Sequence, residues 1–149
     1  MRRSSLGSVT VALALTAVAG ACGSGDSNRA RGLARDACGT YEMFLPGGFD
    51  TPEDRDTVRE RDIPALEESA REAAQAARLD SDWRELAQGL SRTVEWASAS
   101  LELADLKADV APTSDGTDEV DALQARVLSL GSELDAHDPQ AQCQKAQAS

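Results

Sequence analysis

The chain is poor in aromatic residues, histidine and lysine. Five of its 149 residues are aromatic, two are lysine and one is histidine. The core must therefore be built mainly from alanine and leucine, and the scarcity of β-branched residues favours helix over strand. A lone histidine, His137, excludes the histidine clusters of many metal sites. The Glu-x-x-His pattern of di-iron bundles is absent too, because Glu133 precedes His137 by four positions.

The sequence also lacks the motifs of common hydrolases. It contains no Gly-x-Ser-x-Gly, no Ser-x-x-Lys and no His-Glu-x-x-His. A serine triad could use only His137, and no serine is marked as its partner. Glycosidases need only two carboxylates, but a small helical domain offers a poor cleft for a sugar chain. We therefore expect no enzymatic activity, no metal site and no cofactor.

Positive charge is scarce as well. Fifteen basic residues face 26 acidic ones, and the net charge is −11. Such a charge repels nucleic acid and anionic lipid headgroups. We therefore expect no nucleic-acid partner, and attachment to a membrane would have to come from a lipid rather than from basic side chains.

The first 22 residues look like an export leader. Arg2-Arg3 precede an apolar stretch, Leu6–Ala19, which is shorter than the ~20 residues of a spanning helix. The segment Ala19-Gly20-Ala21-Cys22 follows, and it resembles the lipobox of bacterial lipoproteins, although Ala19 stands where that motif prefers leucine. The resemblance implies cleavage before Cys22, a diacylglyceryl group on its sulfur and an acyl chain such as palmitate on its amine.

Other interpretations of the leader stay open. Ala19-Gly20-Ala21 also fits the A-x-A site of ordinary secretory cleavage, and an uncleaved anchor is a further alternative. The Arg2-Arg3 pair resembles a twin-arginine export signal, so the export route is not decided. Cysteine counting favours lipidation, since modifying Cys22 leaves Cys38 and Cys143 as one pair.

The leader sets the plan of the chain. Residues 1–21 are the predicted signal peptide, residues 22–28 a flexible tether from lipidated Cys22, and residues 29–149 a helical domain. Removing the leader leaves 128 residues, enough for one domain, and takes the net charge to −13. A tether of six residues reaches on the order of 13 Å, so the domain should lie close to the extracytoplasmic face of the cell membrane.

Four segments of the mature chain have apolar residues at every third or fourth position, which predicts helices. We expect a kink or a fresh start near Asp62, because Pro64 removes a backbone donor. The third helix carries a second apolar stripe with Trp96, so it should contact more than one neighbour. Four such helices joined by short loops predict an all-α, antiparallel four-helix bundle. The predicted bounds are about 29–45, 51–79, 80–110 and 118–137, with a last short helix or tail from residue 138.

Cysteine placement predicts how the bundle is closed. Cys38 lies in the first helix and Cys143 just beyond the fourth, and in an up-down bundle these positions share one end. An exported protein meets an oxidising compartment, which favours a Cys38–Cys143 disulfide. Closing a loop of about 100 residues contributes roughly 4–5 kcal/mol in the chain-entropy treatment.

Acidic residues surround the turn between the third and fourth helices. Seven acids and one base, Lys107, lie there, and they form either a solvated tip or a docking patch for a basic partner or a cation. The segment Asp115–Asp121 lacks the oxygen ligands that an EF-hand needs before its glycine. Its acids are better explained as favourable charges at the N-terminus of the fourth helix. The candidate docking residues are Glu102, Asp105, Asp109, Asp115, Asp118, Glu119 and Asp121.

These features together predict a lipid-anchored, non-enzymatic protein that binds another envelope protein or serves as an accessory module. The alternative is a small-molecule or cation binder with a pocket inside the bundle near Trp96. A protein-binding function requires an exposed apolar patch on the second or third helix. A ligand carrier requires a cavity with a few converging polar groups, and an enzyme requires perturbed carboxylates in a cleft.

Overall fold

The computed structural model describes residues 23–44, 48–109 and 117–148, and these ranges contain helices and no strand. Four long helices pack against one another as the predicted antiparallel bundle, and a short last helix follows them. The helices are α1 (Gly23–Phe44), α2 (Pro52–Thr57), α3 (Ile63–Leu79), α4 (Arg84–Asp109), α5 (Thr117–His137) and α6 (Pro139–Ala148).

Helix α1 begins earlier than the sequence pattern predicts. It starts at Gly23 instead of near Arg29, so residues 23–28, which the composition predicts as a tether, lie in its first turns. Glycine, serine and asparagine are weak helix formers, and the pattern therefore gives no sign of this start. Asp26 in the first turn favours it, because a carboxylate interacts well with the positive end of a helix.

Local backbone chemistry explains the start of α2 and its passage into α3. Thr51 caps α2 with a capping box, in which its hydroxyl accepts from the Asp54 N–H at 3.1 Å. The interruption predicted near Asp62 is a π-helical turn, Val58–Asp62, and it leads directly into α3. The N–H of Ile63 donates to the carbonyl of Val58, five residues back. The chain thus accommodates Pro64 by widening one turn rather than by breaking the helix.

Small side chains fill the interface between α1 and α3. Ala34 and Ala37 of α1 and Ala73 and Ala76 of α3 are fully buried there. Alanines let two helix backbones approach closely. The hydroxyl of Ser69 crosses this short gap and donates to the carbonyl of Ala37 at 2.7 Å. Packing and one buried hydrogen bond therefore fix the two helices together.

Helix α4 contacts α3, α5 and α6, as its two apolar stripes predict. The carboxylate of Asp80 accepts from the Asp82 N–H at 3.1 Å, and a 3-10 turn, Ser81–Trp83, leads into the helix. Trp96 of the second stripe is half-buried. The buried apolar residues of this turn and helix include Trp83, Leu86, Leu90, Ala97, Leu101 and Leu103.

Helix α5 packs chiefly on α4. Leu130 of its apolar stripe is buried, whereas Val120, Leu123 and Val127 are only half-buried. An ion pair between Arg92 Nε and Glu133 Oε2, at 3.0 Å, joins the N-terminal part of α4 to the C-terminal part of α5. One helix cannot cover the whole stripe, and this explains why α5 stays partly exposed.

The predicted disulfide is present and closes the bundle. Cys38 and Cys143 are joined with their Cα atoms 5.3 Å apart, and both residues are fully buried. Helix α6 lies against α1 and α4, where Arg35 Nε donates to the carbonyl of Ala146 at 2.8 Å. Helix α6 also packs closely against α4 at Gly89, because a Cβ at this position would lie only 3.2 Å from Pro139.

Candidate functional site

A cleft opens where α1, α4, α5 and α6 meet. Its volume is about 570 Å³, within the range of roughly 300–1,000 Å³ that is usual for small-molecule sites. We call it the Trp96 cleft. Its lining residues are Tyr41, Thr93, Trp96, Gly131, Leu134, Asp135, Asp138, Pro139 and Gln140.

Helix α1 supplies Tyr41 to the cleft, one turn after Cys38. Burial raises the pKa of the phenol above its usual 10.0, and the nearby carboxylates of Asp138 and Glu42 raise it further. A tyrosine hydroxyl is protonated at neutral pH even at its usual pKa, and the raised pKa extends this state to more alkaline pH. Tyr41 therefore presents a neutral ring with a hydroxyl that can donate or accept a hydrogen bond.

Helix α4 supplies Trp96, the residue near which the alternative interpretation of the sequence places a pocket. The indole and the Phe49 ring form a T-shaped pair, with ring centroids 6.1 Å apart and an interplanar angle of 76°. Arg55 in turn holds the backbone of Phe49, because its Nη1 donates to the Phe49 carbonyl at 3.3 Å. The segment before α2 thus contacts the indole, and Trp96, which is half-buried, also lines the cleft.

The sharp turn between α5 and α6 supplies the carboxylates. Asp138 has a φ of 34°, a left-handed conformation that aspartate tolerates better than most residues. Its N–H donates to the carbonyl of Leu134 at 2.9 Å, and its Oδ1 accepts from the Ala141 N–H at 3.0 Å. Asp138 therefore ends α5 and caps α6 at once. Asp135 lies nearly one turn earlier and also lines the cleft.

The disulfide lies next to this site. Cys38 precedes Tyr41 on α1, and Cys143 follows Pro139 and Gln140 on α6. The bond therefore joins two of the helices whose side chains form the cleft. Cys22, the predicted lipidation site, lies outside the described residues.

The predicted acidic patch is not uniform in the structure. Asp105 pairs with Arg55 at 3.0 Å and with Arg59 at 2.6 Å, so two guanidinium groups of the α2 region neutralise it. Lys107 Nζ donates to Gln124 Oε1 at 3.3 Å, across the α4–α5 contact. Asp115 lies outside the described residues. The exposed members are Glu102, Asp109, Asp118, Glu119 and Asp121.

Other titratable groups show no converging arrangement in the described ranges. No group of three or more His, Cys, Asp or Glu residues there could hold a metal ion. Burial raises the pKa of Glu72, and Asp36 and Glu68 add to the shift, but Glu72 does not line the Trp96 cleft. His137 lies at the end of α5 and lines a separate surface groove with Arg84 and Arg92.

Sequence reasoning singles out Trp96 but misses Tyr41, Asp135 and Asp138 as its neighbours. The Asp138-Pro139 pair is a readable helix start, yet nothing in it indicates that the turn faces Trp96. Comparison of the chain with protein-family models, curated proteins and solved structures finds no match. Within the described part of the chain, no helix has the length and apolar character needed to cross a membrane.

Proposed function

We propose that this protein is a lipid-anchored, non-enzymatic protein of the extracytoplasmic membrane face that binds a small ligand in the Trp96 cleft. The cleft itself carries this proposal. It has the volume of a ligand site, apolar walls from Trp96, Leu134 and Pro139, and polar groups from Tyr41 and the aspartates.

Surface exposure supports ligand binding over a protein-docking function. A docking surface on α3 or α4 would need a contiguous exposed apolar patch. The large apolar side chains most exposed in the described ranges are Met43 and Leu128, and they lie on α1 and α5. Neither belongs to the two helices on which such a patch is expected.

Binding of an envelope protein remains a second candidate, supported by a different feature. Five acids around the α4–α5 corner are exposed and suit a basic partner. Crosslinking in intact cells checks it. The partner should be recovered with the wild type and lost when Asp118, Glu119 and Asp121 are changed to amides. Equal recovery from both proteins would exclude this corner as the docking site.

Lipid anchoring rests on the lipobox-like segment ending at Cys22. Helix α1 begins at Gly23, so an acylated Cys22 would hold the bundle against the bilayer with almost no spacer. Two acyl chains suffice for stable anchoring, since each buried methylene adds about 0.8 kcal/mol. Mass spectrometry of the native protein tests this directly. We expect a diacylglyceryl adduct on Cys22 and release of a Cys22→Ala variant from the membrane, and an unmodified terminus would exclude the anchor.

Ligand binding is tested at the cleft wall. Gly131 of α5 lines the cleft, and a Cβ built on it meets nothing within 4 Å. Gly131→Leu should therefore fill the cleft while leaving the helices in place. Compounds from a fragment mixture should shift the Trp96 indole NMR signal in the wild type and not in this variant. Binding that survives in Gly131→Leu would place the ligand elsewhere.

A further inference from the structure

The charged side chains that line the Trp96 cleft are all acidic. Among the nine described residues that line it, Asp135 and Asp138 carry carboxylates and none is basic. The chain as a whole carries −11, so no surplus of positive charge elsewhere offsets these groups. An anionic ligand would be repelled here, whereas a cation would be attracted.

The carboxylates are placed to meet a ligand. One oxygen of Asp138, Oδ1, is engaged by the Ala141 N–H, and this bond holds the carboxyl group at the turn. Oδ2 has no partner among the described residues and remains for a donor on a ligand. Asp135 is exposed beside it and makes no ion pair with a described residue.

The aromatic residues narrow the kind of cation. Trp96 and Tyr41 line the same cleft, and the faces of such rings attract ammonium groups within about 6 Å of the centroid. A metal ion gains little from a ring and needs six or more oxygen ligands in the case of calcium, while two carboxylates are present. An organic ammonium group uses both the rings and the carboxylates.

We infer that the Trp96 cleft binds a small organic cation, a primary or quaternary ammonium group on an apolar body. The ammonium group lies between the carboxylates of Asp135 and Asp138 and the rings of Trp96 and Tyr41. The apolar body contacts Leu134. This inference rests on the proposed function and names the ligand class of the same cleft.

The test uses the complete exported protein in an uncharged detergent. The chain has two tryptophans, so an NMR spectrum separates two indole N–H signals. Trp96 reports on the cleft, and Trp83, which is buried beneath Lys145, serves as an internal control. The probes are choline, phenethylamine, calcium chloride and the neutral analogue of choline in which carbon replaces the nitrogen.

We expect choline or phenethylamine to shift the Trp96 signal in a saturable way, leaving Trp83 unchanged. The neutral analogue should bind at least tenfold more weakly, since it keeps the shape and loses the charge. Asp135→Asn and Asp138→Asn should each weaken binding roughly fivefold, as expected for one unit charge at about 4 Å in water. Asparagine keeps the left-handed turn and the α6 cap, so these variants change charge alone.

Asp121→Asn is the matched control. It removes the same charge from an exposed site of α5 outside the cleft, and its affinity should equal that of the wild type. Equal weakening by Asp121→Asn would mean that the overall field of the protein, and not the cleft, attracts the cation.

Failure of the ligand class differs from failure of the cleft. Equal affinity for choline and its neutral analogue, or stronger binding of calcium than of either amine, would overturn the organic-cation assignment while the cleft remains a binding site. The assignment is likewise overturned, and the cleft remains a binding site, if uncharged fragments shift the Trp96 signal and neither amine does. If no compound of any class shifts the Trp96 signal, both the assignment and the proposed function are overturned.

Discussion

Removal of the Cys38–Cys143 disulfide should destabilise the domain strongly. The two cysteines are separated by 105 positions, and closing a loop of that length contributes about 4.7 kcal/mol in the chain-entropy treatment. Domains of this size have free energies of unfolding of roughly 5–15 kcal/mol. The bond therefore supplies about a third of that free energy or more.

Helix α6 should be the first part to loosen. It has ten residues, and a helix of that length is marginal in water without tertiary contacts. Its buried residues are Pro139, Cys143 and Ala146, and the Arg35 bond to the Ala146 carbonyl adds one long-range hydrogen bond. Without the disulfide, these contacts must hold α6 against α1 and α4 with the help of exposed hydrogen bonds only, which Gln142, Lys145 and Gln147 donate to Glu85, the carbonyl of Asp82 and Glu42.

The perturbation is the double variant Cys38→Ala/Cys143→Ala, followed by circular dichroism on heating. A domain of this size loses about 3–5 °C of Tm for each kcal/mol, so the Tm should fall by about 15–25 °C. Hydrogen exchange should show α6 amides losing protection before those of α3 and α4. Cys22→Ala is the matched control, since it removes a cysteine and leaves the bond. A decrease in Tm of less than about 5 °C, or α6 amides as protected as in the wild type, would show that the disulfide does not stabilise the domain in this way.

Three further predictions concern stability. Gly131→Ala should stabilise the domain by about 0.5–1 kcal/mol, because alanine favours helix and its Cβ meets nothing within 4 Å. Gly89→Ala should stabilise the domain less or destabilise it, because its Cβ would lie 3.2 Å from a proline of α6. Equal gains in urea unfolding would contradict this. Burial and neighbouring acids raise the folded pKa of Glu72 above the unfolded 4.5, so its ionisation lowers stability as pH rises past that value. Glu72→Gln should therefore be more stable than the wild type at neutral pH. In unfolding curves measured below pH 4.5, this gain in stability should disappear. A gain that does not depend on pH would exclude ionisation of Glu72 as its cause. Ser69→Ala should cost about 1 kcal/mol through its lost bond to a carbonyl of α1, while exposed Ser98→Ala serves as the control and should cost nothing.

Local chemistry in the sequence predicts much of the fold. Thr51 and Pro52 mark the start of α2, Asp80 marks the turn before α4, and Pro64 marks the place where the helix changes its winding. These signals are readable because caps and prolines act through backbone groups only a few residues away. The disulfide is predictable for a different reason, since only two cysteines remain after Cys22.

Features that depend on several helices at once cannot be predicted from such local signals. Periodicity identifies which face of a helix is apolar, but it does not fix how far one helix slides along another. The meeting of Trp96, Tyr41 and Asp138 depends on that offset and on the left-handed turn at Asp138. The start of α1 at Gly23 was missed because weak helix formers extend a helix there without an apolar stripe.

The sulfur–sulfur bond also makes the chain a covalent ring from residue 38 to residue 143. A protease that cuts one peptide bond anywhere inside that ring releases no fragment, because both new ends stay joined through the cystine. A pulling force between the two termini likewise passes through the bond and leaves the enclosed helices under no tension. Shedding any part of the cleft would thus take two separate cuts, or one cut together with a reductant able to reach two sulfurs that solvent does not touch.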